Sequence, residues 1–335
     1  MNTKTLLPVL SNLIKNQLQF LLVGAPAIGK TETVKQACKD AGNELIIMHP
    51  VVSDPTDFKG IGAIVNDVAE FLPTGELRKL MNADKPTLCF IDDLGQASPA
   101  VQASLMQLIL AREINGKKIS DQVTFAGATN RRRDKAGVKG VLQPLLSRFR
   151  TILEVEVDLD GWVSWALRND MPAELIAFIR FRSDLLHKFD PDAVSSTGES
   201  LINQPSPRTW ESVGLLTKAG ITDYEVIAGA VGEAGATEYC GFLAMIKKLG
   251  NLPSQILAGE MPDCPADPST LFALSACLAK YSASQFAIVA RWIGEKMPLE
   301  FAGRFLVDAE AKNPDISAQK EFADLSLKVN GFISC

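Results

Sequence analysis

The stretch Gly24-Ala25-Pro26-Ala27-Ile28-Gly29-Lys30-Thr31 decides how this chain folds. Glycine, four residues and then Gly-Lys-Thr is the spacing of a loop that wraps phosphate. The glycines let backbone N–H groups close around phosphate oxygens, and a helix opening near Lys30 points its positive end at them. The Lys30 ammonium is placed to reach the β and γ oxygens, and the Thr31 hydroxyl to hold magnesium. Just before the loop, Gln19 to Val23 is a short apolar run that reads as a strand; just after it, Lys30 to Ala41 reads as a helix. The whole segment, Gly24, Ala25, Pro26, Ala27, Ile28, Gly29, Lys30 and Thr31, is therefore expected to bind a nucleoside triphosphate.

Further along lie four more strand-like runs, Glu44 to Met48, Thr87 to Ile91, Val123 to Ala128 and Thr151 to Val157, separated by helical or loop material. Strands alternating with helices predict a parallel sheet covered on both faces. The run Thr87 to Ile91 closes in Asp92-Asp93, which supplies an acid where a magnesium shell needs one: Asp92 on the metal side and Asp93 to polarise the attacking water. Asp92-Asp93-Leu94-Gly95 also fits the GTPase pattern of aspartate, two residues and glycine, but no Asn-Lys-x-Asp guanine-reading motif accompanies it. The run Val123 to Ala128 leads into Thr129-Asn130, an amide able to orient that water. Pro99 to Glu113 predicts a helix with Ser98 as its cap, and Asn115-Gly116 the centre of a tight hairpin. Lys117-Lys118 read equally as a surface turn and as contact residues, and Arg131-Arg132-Arg133 as a solvated or interface-facing loop rather than a nucleic-acid patch.

At 335 residues, the chain is too long for one ordinary core. Beyond Asp158 the runs Trp162 to Asn169, Ala173 to Phe189 and Thr209 to Ala219 look helical, and no strand is expected. The expected division is 1–158 for an α/β core, 159–250 for a helical lid and 251–335 for a helical C-terminal region, with Ser195 to Pro207 a loop and Met261 to Pro268 a linker. Lys and Arg total 34 against 39 Asp and Glu, a net charge of −5 that gives no global field for nucleic acid or anionic lipid. Six scattered cysteines without a Cys-x-x-Cys pair, and only His49 and His187, argue against a zinc site or disulfide framework and for a reducing cytoplasm. No signal peptide or membrane span is expected. Both histidines, and Trp162, Trp165 and Phe178, read as packing residues.

The phosphate loop, the acid-ended strand, the strand closing in Thr129-Asn130 and then Leu145-Leu146-Ser147-Arg148-Phe149 follow one another in the order and spacing of AAA+ ATPases, which the chain resembles. The hairpin before the Thr-Asn strand, Phe71-Leu72-Pro73-Thr74-Gly75-Glu76-Leu77, and Ser206-Pro207-Arg208-Thr209-Trp210 resemble the MoxR branch in particular. That resemblance implies a P-loop AAA+ core with a five-stranded parallel sheet. It also implies Asn130 as the sensor-1 residue, Arg148 as the arginine finger acting in trans and Arg208 as the sensor-2 arginine of the lid. It further implies ATP and Mg2+ as cofactors, a homo-oligomeric ring, commonly a hexamer, and chaperone-like action on a protein partner, such as a separate von Willebrand factor A domain protein. One departure stands out: similar ATPases carry Asp-Glu where this chain has Asp92-Asp93, a carboxylate one methylene shorter. The alternatives are therefore a nucleotide-gated scaffold with little turnover or, against the acidic charge, a DNA-linked motor.

Overall fold

In the computed structural model, which describes residues 1–73, 75–134, 137–190, 203–279 and 283–330, the five runs become five parallel strands. They are β1 (Phe20–Gly24), β2 (Glu44–Met48), β5 (Thr87–Ile91), β8 (Val123–Asn130) and β9 (Thr151–Val155), ordered β2-β5-β8-β1-β9. Between β2 and β5 the chain inserts a hairpin, β3 (Ile61–Val65) with β4 (Val68–Leu72), and helix α3 (Gly75–Met81); between β5 and β8 come helix α4 (Pro99–Leu110) and hairpin β6 (Glu113–Ile114) with β7 (Lys117–Lys118).

Side-chain alternation splits each apolar strand between two cores. Phe20, Leu22, Leu88, Phe90, Ala126 and Ala128 face α1 (Thr3–Lys15) and α2 (Lys30–Ala41). Leu21, Cys89, Ile91 and Phe125 face the side where Leu77, Leu105 and Leu145 pack. Such runs are continuously apolar because neither face meets water. The chain leaves β1 for the edge strand β2, returns through β5 and β8, and then passes β1 to reach β9. The order thus reverses beside β1, and strand ends at such a reversal are where open α/β sheets bind ligands.

Several sequence expectations shift. Helix α1 was not foreseen, although Leu6, Leu10 and Ile14 form a fully buried i, i+4, i+8 stripe and Asn2 caps it by accepting from Thr5 N. The run expected to stay helical to Glu113 stops at Leu110, because Glu113 pairs with Lys118. The Asn115-Gly116 turn has φ of 51° and 76°, the left-handed pair that a primed hairpin turn requires. The β3–β4 hairpin was missed; its turn, Asn66-Asp67 at φ 51° and 60°, is of the same type.

The described residues divide into two compact units, one built on Met1–Asp158 and the other beginning at Leu159. In the second unit the helix expected over Ala173 to Phe189 ends at Phe181, so His187 lies beyond it. Phe178 centres an aromatic cluster with Trp210, Tyr239 and Phe242 at ring separations of 5.2–5.6 Å. The helix Pro268–Leu278 packs along Ala173–Phe181, so residues on both sides of 250 share one unit. Met261 and Cys264 pack on its apolar cluster, and Pro262 O accepts from Trp292 Nε1 at 2.9 Å, which is unlike a solvated linker. The Ser195 to Pro207 expectation falls largely outside the described residues. No described helix is long and apolar enough to cross a membrane.

Candidate functional site: a phosphate loop facing two acids and an amide

β1 delivers its last residue, Gly24, beside Asn130 of β8 and Val155 of β9. A Cβ on Gly24 would lie 2.7 Å from Ile28 Cδ1 and 2.8 Å from Val155 O, so only glycine fits. The loop then needs two left-handed residues, Ala27 at φ 60° and Gly29 at φ 90°. Gly29 caps α2 with no side-chain hydrogen bond, which leaves the first N–H groups of a 12-residue helix free to meet an anion.

Lys30 is buried, 7% exposed. Its Nζ donates to Ala25 O at 2.8 Å, Gly24 O at 3.2 Å and Asn130 Oδ1 at 2.7 Å. Burial pushes this ammonium down from 10.5 to about 8, against the pull of Asp93 and Asp92. Thr31 Oγ1 donates to Asp92 Oδ2 at 2.6 Å, so a hydroxyl and a carboxylate converge as hard oxygen donors suited to Mg2+. Asp92 is held by its own N–H to Met48 O at 2.9 Å.

Asp93 sits at φ 54°, a conformation that Asp and Asn accept more readily than other side chains. Asn130 Nδ2 donates to Asp93 Oδ1 at 3.5 Å while its Oδ1 receives Lys30, so one amide joins base and lysine. Five expected residues, Lys30, Thr31, Asp92, Asp93 and Asn130, therefore meet at the ends of β1, β5 and β8. Two expected arginines lie on other elements. Arg148 is exposed just beyond helix α5 (Gln143–Leu146), and Arg208 is exposed in the first turn of the helix Pro207–Lys218 in the second unit.

Sequence reading missed the supports around this cluster. Arg131 clamps the buried Asp134 through Nε–Oδ2 at 2.9 Å and Nη2–Oδ1 at 3.2 Å, and Arg133 pairs with Glu154 at 3.3 Å. Two of the three arginines in that run are thus neutralised locally. Lys117 pairs with Glu70 at 3.3 Å and Asn115 Nδ2 donates to Lys59 O, joining the two hairpins. Of these, the sequence singled out Lys117 and the arginine run as candidate contact residues but not their acidic partners.

Residues 20–157 match the family described as ATPase family associated with various cellular activities (AAA). No curated protein matches the chain. Among solved structures, the chain is similar to the RuvB Holliday junction branch migration motor of Thermotoga maritima, at 17% identity over 82% of this chain and 80% of that one, with a TM-score of 0.40. It is also similar to NtrX from Brucella abortus in complex with ATP, at 12% identity over 99% of this chain and 67% of that one, with a TM-score of 0.41. The AAA match, the phosphate loop after β1 and the five-stranded parallel sheet make the first unit a P-loop AAA+ core, followed by a mostly helical region.

Proposed function

We propose that this chain hydrolyses ATP in a homo-oligomeric ring, commonly a hexamer in the family it resembles, and uses the cycle to remodel or activate a protein partner. The observation that carries this reading is the convergence of Lys30, Thr31, Asp92, Asp93 and Asn130 within a chain of hydrogen bonds no longer than 3.5 Å. The loop from Gly24 to Thr31 binds the phosphates, with Lys30 on the β and γ oxygens. Thr31 and Asp92 would hold Mg2+, which when bound neutralises charge developing between the β and γ phosphates. Asp93 accepts a proton from the attacking water, and Asn130 keeps that water in line. Arg148, exposed, reaches the γ-phosphate of a neighbouring copy, and Arg208 serves the sensor-2 role from a lid within 159–250. Residues 251–335 are left for partner specificity.

A protein client suits the surface better than nucleic acid. Hairpin β3–β4 exposes Ile61 at 64%, Ile64 at 80% and Val68 at 57%, an apolar prominence of the kind that marks protein contacts. The basic run at Arg131 to Arg133, by contrast, is largely consumed by Asp134 and Glu154. A separate von Willebrand factor A domain protein is the first client to try, on the resemblance to the MoxR branch. Phosphate release by the wild type beside Lys30→Ala and Asp93→Asn tests the reading: turnover is expected in the wild type alone. One observation favours a second reading, a nucleotide-gated scaffold with little turnover: Asp93 is one methylene shorter than the Glu of similar ATPases and sits in a constrained left-handed turn. Nucleotide binding with no phosphate release from assembled wild type selects that scaffold.

A further inference from the structure

Gln102, on the first turns of α4, is 1% exposed, and both ends of its amide are used. Nε2 donates to Gly140 O at 2.8 Å and Ala97 O at 3.2 Å, while Oε1 accepts from Leu142 N at 3.0 Å. Leu142 is the cap residue of α5, which ends one residue before Ser147 and two before Arg148. The same loop is stitched to the acid turn: Lys139 N and Gly140 N donate to Gly95 O at 2.9 and 3.2 Å, two residues after Asp93. Gly95 itself is trapped, since a Cβ there would lie 2.2 Å from Thr129 Oγ1, beside Asn130. Beyond the loop, Leu145 and Phe149 are anchored in the core while Arg148 between them is exposed. A continuous set of contacts therefore runs from Asp93 and Asn130 through Gly95 and Gln102 to the segment that presents Arg148.

We propose that Gln102 is a positioning residue that couples a chain's own nucleotide site to the arginine the same chain offers its neighbour. The inference rests on the roles given to Asp93 and Arg148 above. A buried amide suits this task because its donors and acceptor fix loop and helix together, and a polar group left unmatched there would be costly. Nucleotide bound against Asp93 and Asn130 then sets the orientation of Arg148 through Gly95 and residues 139–142.

Gln102→Met keeps the side chain's length and removes its hydrogen bonds. Steady-state hydrolysis should fall about ten- to a hundredfold, the scale of a small misplacement at a reacting centre, with nucleotide affinity within about twofold of wild type. In an Arg148→Ala background, the same change should cause no further loss, because both act through one group. An equal loss in both backgrounds, unchanged turnover, or a matching fall in affinity overturns the coupling. If Gln102→Met does not fold, Leu142→Pro removes the N–H that Oε1 accepts from at a position whose φ of −60° already suits proline, and the same outcomes are expected.

Hydrogen exchange with a non-hydrolysable ATP analogue gives a readout independent of turnover. In wild type the analogue should slow exchange in both 24–34 and 139–149; in Gln102→Met, only in 24–34. Protection confined to 24–34 in wild type, or persisting at 139–149 in the variant, overturns the inference alone. No protection in either segment overturns the nucleotide reading and the inference with it.

Discussion

The Nζ of Lys30 lies 2.7 Å from Oδ1 of Asn130, 100 residues further along the chain. This contact joins the phosphate loop to the end of the neighbouring strand, and through Asn130 Nδ2 to Asp93. Removing the ammonium as Lys30→Ala takes away both the phosphate contact and this link. Triphosphate affinity should drop at least about a hundredfold, the scale of a lost charge-assisted contact. Titration with a fluorescent ATP analogue measures it, and binding within a few-fold of wild type would contradict the assigned role.

Protonation of Lys30 gives the site a pH signature. Because burial lowers it from 10.5 to about 8, the folded chain releases this proton before the unfolded chain does. Between those values the unfolded state holds more protons, so this group favours folding as pH rises; below about 8 the cost of its burial is fully present. Nucleotide responds in the opposite sense, since a triphosphate prefers the ammonium. Affinity should be flat below pH 7.5 and fall above about 8, approaching about tenfold per unit. An affinity that stays constant up to pH 9.5 would rule this out.

Asp93 separates charge from conformation. Asn tolerates its left-handed backbone as Asp does, so Asp93→Asn removes only the carboxylate. Hydrolysis should fall about a hundredfold or more while ATP binding persists. Asp93→Glu restores the reach common in similar ATPases but places a longer side chain at φ 54°, which costs roughly 1–2 kcal/mol. Its denaturation midpoint should drop even if its turnover rises.

Two glycines of the loop should respond differently to alanine. At Gly24 the new Cβ meets Val155 O at 2.8 Å, and overpacking against fixed backbone should cost about 1–3 kcal/mol. At Gly29 nothing lies within 4 Å, so only the left-handed backbone is penalised, by about 1 kcal/mol. Urea unfolding of the two variants compares them; equal losses would show that space at Gly24 is not limiting.

In the second unit, Arg180 and the buried Asp308 form a largely buried ion pair, with 15% and 8% of their side chains exposed. Arg180→Met strands the carboxylate, whose Oδ1 has no hydrogen-bond partner, and should cost about 3–5 kcal/mol. Adding Asp308→Leu should recover most of that loss, because a packed apolar pair replaces two desolvated charges. If the double variant is no more stable than Arg180→Met alone, the pair is not the source of the loss.

The sequence determined what local chemistry can encode: the phosphate loop, the acid pair after β5, the amide ending β8 and the five strands themselves. Each depends on residues close together in the chain, where glycine spacing, apolar runs and caps carry their own physical meaning. Strand order was not among these, and it is what brings Lys30, Asp93 and Asn130 together at the ends of neighbouring strands. The β3–β4 hairpin stayed hidden because its strands are apolar almost throughout, so no regular alternation of apolar and polar side chains marks them in the sequence. Gln102 stayed hidden for a different reason. A glutamine in a helix has no sequence signature of burial, and only the approach of Gly140 and Leu142, some 40 residues away, turns its amide into a joint between the acid turn and Arg148.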